Sequence, residues 1–160
     1  VPRYFTVNDI GCGYGGFLQR LQDNFSNDRF SYAGFDLAKT PIEYCERNYS
    51  KKGAQFYSSG LPSKMADFNV MSGTFNFAPD LTVNAWRNYL FSSLNSIWNL
   101  TRCSMIFNLM ISDEDKITSQ SISYIRQETI LNFCQSNFGA TSKYFSSKLP
   151  REITLCISKI

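Results

Sequence analysis

Residues 7–16 combine the residue types best suited to binding a charged small molecule. An apolar strand ends at Asp9, and glycines follow at Gly11, Gly13 and Gly15 before a helical pattern begins. Glycine lets the chain turn tightly and lets its backbone approach a ligand where a Cβ would collide. The helix that follows directs free amide N–H groups and the positive end of its dipole into the same space. We therefore predict that this turn binds a nucleotide-like cofactor.

A second acid, Asp36, ends the next predicted strand at about the offset expected of a ribose-binding carboxylate. The pattern Gly11-x-Gly13-x-x-Gly16 also satisfies the dinucleotide fingerprint, so NAD is one candidate cofactor. Asp9 favours S-adenosylmethionine instead, because its carboxylate can pair, directly or through water, with a methionine ammonium that NAD lacks. A further glycine within the turn gives a looser loop that suits a nucleoside with an amino-acid tail.

The elements that must position these residues alternate along the chain. We predict strands at 4–9, 31–36, 55–58, 68–75, 104–111, 142–147 and 152–158. Helices are predicted from apolar stripes at 17–25, 86–98 and 122–133, and from a capping box with proline at 40–43. Residues 148–151 are too few for a parallel crossover, so the last two strands must form an antiparallel hairpin. The prediction is an α/β fold with a doubly wound, mostly parallel seven-stranded sheet.

Three motifs resemble those of class I S-adenosylmethionine-dependent methyltransferases, and the resemblance covers nearly the whole chain. Residues 9–15 resemble the first motif, 34–37 the second and 71–76 the fourth. The pattern is similar to a bacterial subgroup of unassigned substrate, which implies a Rossmann-like fold and S-adenosyl-L-methionine as cofactor. The cofactor contacts that the resemblance implies are Asp9, Gly11, Cys12, Gly13, Gly15, Asp36, Leu37, Ser58, Ser59, Ser72 and Gly73.

One position departs from this family. Many relatives have an acid after the third strand to bind the adenine amino group, whereas this chain has Ser59 there. A neutral acceptor forms a weaker hydrogen bond than a carboxylate, so we expect weaker cofactor binding and not its loss.

Catalytic residues are harder to assign, because the chain has no histidine. A base for methyl transfer would have to come from Asp113, Glu114, Asp115, Tyr124, water or a segment outside this sequence. Asn76 and Asn108 end adjacent strands at the predicted ligand edge. They are predicted either to contact the substrate or to hold loop backbone in place.

Composition excludes several classes of partner and site. The net charge of +3 is scattered, which disfavours nucleic acid, and residues 76–79 do not match the N-P-P-[YF] signature of amino-methylating DNA enzymes. The five cysteines form no C-x-x-C pair, so we expect no metal site and free thiols in a reducing cytoplasm. No apolar run is long enough to span a membrane. The acceptors that remain are a small molecule, a sugar or glycan precursor, or a protein side chain.

We interpret residues 1–160 as a single methyltransferase domain and expect an N-terminal segment before Val1 in the full protein. Two alternatives stay open. An NAD-linked oxidoreductase or epimerase would use the same glycines and Asp36, although the chain lacks a histidine or a Tyr-x-x-x-Lys motif to assist hydride transfer. A non-catalytic methyltransferase-like module would bind the cofactor or a partner without turnover.

Overall fold

The computed structural model describes residues 3–49, 53–139, 141–146 and 148–159, along which strands and helices alternate. The elements are β1 (Phe5–Ile10), α1 (Gly16–Asn24), a 3-10 turn (Asn27–Arg29), β2 (Phe30–Asp36), α2 (Lys39–Tyr49), β3 (Gln55–Ser58), β4 (Ala66–Met71), α3 (Val83–Asn99), β5 (Thr101–Ser112), β6 (Lys116–Ile117), β7 (Ser123–Arg126), α4 (Gln127–Phe138), β8 (Thr141–Ser146) and β9 (Leu149–Ser158). None of these helices is long and apolar enough to cross a membrane.

The described strands form one nine-stranded sheet, in which seven strands follow the order β3-β2-β1-β4-β5-β9-β8 and β6 and β7 are added at the end of β5. The first five are parallel, and β9 runs antiparallel to both β5 and β8. The predicted α/β fold with its C-terminal hairpin is therefore confirmed, although Ser147, predicted to end a strand, lies outside the described residues. Because parallel strands end at one edge, the turns that follow β1, β2 and β4 lie side by side.

The core lies on both faces of this sheet, as alternation along β5 shows. Phe107 and Leu109 pack beneath α3 and α4, whereas Ile106 packs on the opposite side with residues of β4 and α1. Side chains alternate across a strand, so a central strand that is covered on both faces must be apolar at nearly every position.

A small ribbon of β6 and β7 extends the sheet beyond β5. Ile111 of β5 pairs in parallel with Ile125 of β7, and β7 pairs antiparallel with β6. The predicted helix that begins near Ile122 is wrong in its first turn, because α4 begins at Gln127. Ile122 and Ile125 are three residues apart, which fits a helical stripe, but Ile125 is buried through strand pairing instead.

Several other predicted boundaries are shifted, and two of them bear on the edge of the sheet where β2 and β4 end. Helix α2 begins at Lys39, so Thr40 lies inside the first turn and not at the N-cap. Strand β4 ends at Met71, because the chain turns at Ser72 and Gly73, where φ is +74°. A left-handed residue cannot continue a strand, so the residues that follow β4 are free to line the edge of the sheet.

The close packing of β2 against the turn after β1 gives a testable prediction. A Cβ at Gly34 would lie 2.8 Å from the Phe56 ring and 2.9 Å from the Cys12 sulfur, both of which are buried. We expect Gly34→Ala to lower the free energy of unfolding by about 1–3 kcal/mol, as overpacking does. At Gly16 a Cβ would meet nothing, so Gly16→Ala should raise stability by roughly 0.5–1 kcal/mol. Urea unfolding of both variants checks the pair, and equal stabilities would contradict the packing argument.

Candidate functional site

A cavity of about 620 Å³ lies at the carboxyl edge of the sheet, where β1, β2 and β4 end. This volume is typical of small-molecule sites. The wall is formed by the turn after β1, the end of β2, the loops after β3 and β4, and one residue of α3. Five of the residues predicted from the sequence to contact a cofactor share this wall: Gly11, Asp36, Leu37, Ser72 and Gly73.

The three glycines of the turn have positive φ but serve different purposes. A Cβ at Gly11 would lie 2.6 Å from the Thr74 hydroxyl oxygen, and one at Gly15 would lie 2.9 Å from the Tyr49 ring. Protein packing therefore requires glycine at both positions. Gly13 has φ +51°, and a Cβ there would meet no protein atom within 4 Å, so this residue faces open space.

Asp36 joins the glycine turn to the end of β2. Its Oδ2 accepts the Gly13 N–H at 3.0 Å, and its Oδ1 accepts the Ala38 N–H at 2.9 Å. A carboxylate oxygen can accept more than one hydrogen bond, so both oxygens keep capacity for a ligand in the cavity. Asp36 thus holds the turn and faces the cavity at the same time.

Asp9 lies beneath the turn and is not among the residues that line the cavity. It is 2% exposed, and its Oδ2 accepts a hydrogen bond from the Tyr32 hydroxyl at 2.6 Å. Burial raises the pKa of Asp9 from 3.8 to about 6; the Tyr32 hydrogen bond opposes this rise and the charge of Asp36 adds to it. The carboxyl is therefore ionised at neutral pH but gains a proton under mildly acidic conditions.

Two thiols pack under the same turn. Cys12 and Cys45 both direct their sulfurs at the Gly13 carbonyl oxygen, at 3.7 and 3.3 Å. Burial raises the pKa of Cys12 far above its usual range and that of Cys45 to about 11. Both thiols are protonated at neutral pH and act as small packing groups, and Cys12 is not part of the cavity wall.

Beyond Asp36 the cavity wall becomes apolar. Leu37 is exposed and lies against Gly60, where a Cβ would come within 3.2 Å of the leucine side chain. Neither Ser58 nor Ser59 lines the cavity, although Gly60 beside them does. The Ser59 hydroxyl already donates to the Leu61 carbonyl at 2.8 Å and accepts the Leu61 N–H at 3.3 Å.

The loop after β4 is fixed by two asparagines. The Asn108 side-chain oxygen accepts the Gly73 N–H at 2.6 Å, and the Asn76 side-chain oxygen accepts the Met110 N–H at 3.0 Å. Neither asparagine lines the cavity. Both asparagines therefore hold backbone in place by hydrogen bonds, which is one of the two roles predicted for them.

Among the lining residues that were not predicted as site residues, four form the apolar part of the wall: Phe77, Pro79, Leu81 and Tyr89. The first three lie between β4 and α3, and Tyr89 lies on the exposed face of α3. They belong to no apolar stripe, and that isolation is the one signal that could have identified them. Apolar residues in a loop that serve no helix or strand face must pack elsewhere or line a site.

The loop that carries Phe77 is anchored to the ribbon and to α3. The Phe75 carbonyl accepts the Trp86 indole N–H at 3.0 Å and the Ser123 hydroxyl at 2.7 Å. The Ala78 N–H donates to the Ser121 carbonyl at 2.8 Å. Phe77 itself forms a bridge with Ile122.

The predicted acid and tyrosine candidates lie outside this cavity. Asp113 lines a smaller polar cavity of about 310 Å³ after β5, and Tyr124 lies beneath the Lys116 ammonium, 5.9 Å from the ring centroid. Asp115 is bound to Arg87 at 2.9 Å and to the Arg126 N–H at 2.7 Å. Within the described part of the chain, no group of three or more potential ligands could hold a metal ion.

The buried Asp9 predicts an unusual dependence of stability on pH. The unfolded chain releases this proton near pH 3.8, whereas the folded chain holds it to about pH 6. The contribution of Asp9 to folding is therefore present at low pH and lost as the pH rises from about 4 to about 6. Asp9→Asn keeps an acceptor for Tyr32 but removes the titration. As the pH rises from about 4 to about 6, the free energy of unfolding of this variant should therefore increase relative to that of the wild type by up to about 3 kcal/mol. Urea unfolding from pH 4 to 7 checks this, and a constant difference between the two proteins would contradict it.

Comparisons with known proteins agree on one family. Residues 8–88 match the family described as "Methyltransferase domain". A methyltransferase candidate of Mycobacterium tuberculosis, Rv1506c, is 27% identical over 113 residues, which are 69% of this chain and 66% of that relative. The chain therefore spans about two thirds of the length of this relative.

Solved structures show the same fold at low sequence identity. Magnesium protoporphyrin IX methyltransferase (ChlM) of Synechocystis PCC 6803, solved with bound S-adenosylhomocysteine, has a TM-score of 0.72 at 11% identity over 98% of this chain and 74% of that one. A TehB-like S-adenosylmethionine-dependent methyltransferase of Corynebacterium glutamicum has a TM-score of 0.65 at 15% identity over 100% and 83%. The chain therefore belongs to the methyltransferase-domain family, which confirms the resemblance to class I S-adenosylmethionine-dependent methyltransferases.

Proposed function

We propose that this chain binds S-adenosylmethionine in the cavity of about 620 Å³ and transfers its methyl group to a small molecule. The observation that carries the proposal is the junction of Gly13 and Asp36, in which a strand-end carboxylate holds an open glycine turn at the cavity. The family match and the cofactor-bound structures of similar fold support the same conclusion.

The residues present fit this cofactor. The Asp36 carboxylate would accept hydrogen bonds from the ribose hydroxyls, and the adenine would lie between Leu37 and the backbone of Ser72 and Gly73. The turn from Gly11 to Gly15 would approach the methionine part. The buried Asp9 carboxylate beneath this turn would favour the nearby ammonium by its charge.

Ser58 and Ser59 lie beside Gly60 at the adenine end of this arrangement. Ser59 already forms two hydrogen bonds within its own turn, so it has one acceptor position left for an adenine amino group. This agrees with the expectation of a weaker contact than an acid would make.

The cofactor supplies an electrophilic methyl group on a sulfonium sulfur, and the protein has to position the acceptor in line with it. The turn from Gly11 to Gly15 and Asp36 would hold the cofactor, so that its methyl group would pass to the acceptor nucleophile while the acceptor proton leaves to solvent. In this arrangement Asn76 and Asn108 act indirectly, because they fix the loop that forms one wall.

The acceptor is a small molecule and not a nucleic acid in this proposal. The scattered charge and the absence of an N-P-P-[YF] motif argue against nucleic acid, while sugars and glycan precursors remain within the small-molecule class. The cysteines are free throughout the described residues, which supports a reducing, cytoplasmic location.

Calorimetric titration with S-adenosylmethionine, S-adenosylhomocysteine and NAD tests the cofactor. Binding of the two sulfur compounds without NAD supports the proposal. Binding of NAD alone would support the oxidoreductase alternative, because the turn also satisfies the dinucleotide fingerprint.

Asp36→Ala should weaken S-adenosylmethionine binding by at least about a hundredfold, since hydrogen bonds to a charged group contribute about 1.5–3 kcal/mol each. The variant should still fold, because Asp36 is only half-buried at the edge of the sheet. Asp23→Ala is the control, since it removes an exposed carboxylate on α1. Unchanged affinity in folded Asp36→Ala protein would remove this residue from the site.

Gly13→Ala separates backbone strain from steric exclusion of the cofactor. The variant places a methyl group in open space at φ +51° and should lose affinity for S-adenosylmethionine at least tenfold. Gly53→Ala is a matched control, since Gly53 also has positive φ (+84°) with no atom near its Cβ and precedes β3, outside the glycine turn. Both variants should lose about 1–2 kcal/mol of stability, but only Gly13→Ala should lose affinity. If the two variants bound S-adenosylmethionine with equal affinity, the close approach of the cofactor to the backbone at Gly13 would be contradicted.

A further inference from the structure

The loop-side wall of the cavity carries apolar side chains that pack against little of the protein. Phe77 is 60% exposed, and Leu81 and Tyr89 are each 44% exposed, yet all three line the same concavity together with Pro79. Single exposed apolar residues are ordinary on a protein surface, but several that face one concavity indicate a binding surface.

The loop that carries Phe77 is held in place by hydrogen bonds on both sides of this residue. The Phe75 carbonyl, two residues before Phe77, accepts hydrogen bonds from Trp86 and Ser123, and the buried Ala78 is bonded to Ser121. Because the loop is held on both sides of Phe77, little ordering is needed when a ligand binds there. Preorganised apolar walls of this kind favour binding by reducing its entropic cost.

The polarity of the wall separates acceptor classes. Among the described residues that line the cavity, Asp36 is the one carboxylate, and it lies at the β2 end, where its remaining acceptor capacity is committed to the ribose of the proposed cofactor. The Thr74 hydroxyl donates to the Ile10 carbonyl at 2.5 Å, so its proton is also committed. A sugar placed against Phe77 and Leu81 would find few hydrogen-bond partners, since the remaining side-chain hydroxyls of the wall are those of Ser72 and Tyr89, and each unpaired group is costly. An aromatic body would instead bury apolar area on both sides.

We propose that the acceptor is a small aromatic molecule that binds against Phe77, Leu81 and Tyr89 and is methylated on an acidic O–H or S–H group. This inference rests on the proposed function, since it assigns the acceptor side of the same cavity. The acceptor loses its proton to water, its oxygen or sulfur takes the methyl group, and S-adenosylhomocysteine remains with the electron pair of the broken bond. An acidic nucleophile suits this wall because it ionises without a base from the protein.

The test uses 2-naphthol as a fluorescent probe, titrated into the chain with saturating S-adenosylhomocysteine. We expect 2-naphthol to bind beside the cofactor product, while methyl glucoside does not bind. Phe77→Ser should lower the affinity for 2-naphthol about tenfold, because an aromatic contact is lost. Leu81→Ser should lower this affinity as well. Phe145→Ser is the matched control, because Phe145 is also an exposed phenylalanine (53%), on β8 and outside the cavity.

Several outcomes would overturn the inference. These are no probe binding, equal probe affinity in Phe77→Ser and wild type, binding of methyl glucoside in place of 2-naphthol, or competition between 2-naphthol and S-adenosylhomocysteine. Competition would show that the apolar wall belongs to the cofactor. Calorimetric binding of S-adenosylhomocysteine is measured first, so that failure of the proposed function is recognised separately.

Methyl transfer then distinguishes the two nucleophiles. Labelled S-adenosylmethionine is incubated with 2-naphthol and with 2-naphthalenethiol, and label in either product supports the proposal. Label in neither compound, despite probe binding, would overturn the assignment of the acceptor.

Discussion

The turn between β1 and α1 takes its shape from the end of β2. The Phe35 carbonyl accepts the N–H groups of Gly11 and Cys12 at 2.7 and 3.0 Å, and the Asp36 carboxylate accepts that of Gly13. Left-handed φ values at Gly11 and Gly13 turn these amides away from any helical ladder, so they need partners from a neighbouring strand. The register of β1 against β2, with Ile10 opposite Phe35, supplies those partners. The side of the cavity formed by β1 and β2 is positioned by this junction.

A dense layer beneath the turn makes the junction rigid. Asp9 is bonded to Tyr32, the sulfurs of Cys12 and Cys45 meet at the Gly13 carbonyl, and Gly34 leaves no space for a Cβ. This layer has two consequences. It prevents the turn from collapsing into the space beneath it, and it keeps a buried carboxylate close to the place where a cationic ligand group would bind. Burial of a charge is costly to the fold. The negative charge of Asp9 that would favour a cationic ligand group therefore also lowers the free energy of unfolding near neutral pH.

The glycine turn and the strand-end acid were predicted from the sequence, whereas their hydrogen bond and the loop-side wall were not. Asp9, the glycines and Asp36 act through backbone geometry set by neighbours in the chain, so their spacing alone indicates a turn and a strand-end acid. Predictions from local sequence patterns were wrong where contacts between residues far apart in the chain determine the structure. Ile122 and Ile125 fit a helical stripe, yet pairing with Phe77 and Ile111 places them in or beside the ribbon. The grouping of loop residues around the cavity likewise depends on the Phe75 carbonyl, whose partners lie 11 and 48 residues away.

The two sides of the cavity therefore depend on different parts of the chain. The side formed by β1 and β2 is held by hydrogen bonds within residues 9–38, whereas the side that carries Phe77 is held by α3 and by the ribbon after β5. Substitutions in the ribbon should act mainly on the apolar wall, while Thr74, which donates to the Ile10 carbonyl, links the start of the same loop to the glycine turn. Energies of sites that share no partner add nearly independently. Phe77 and Asp36 share none of the hydrogen bonds described above, so substitutions at these two ends of the cavity should have nearly additive effects on stability.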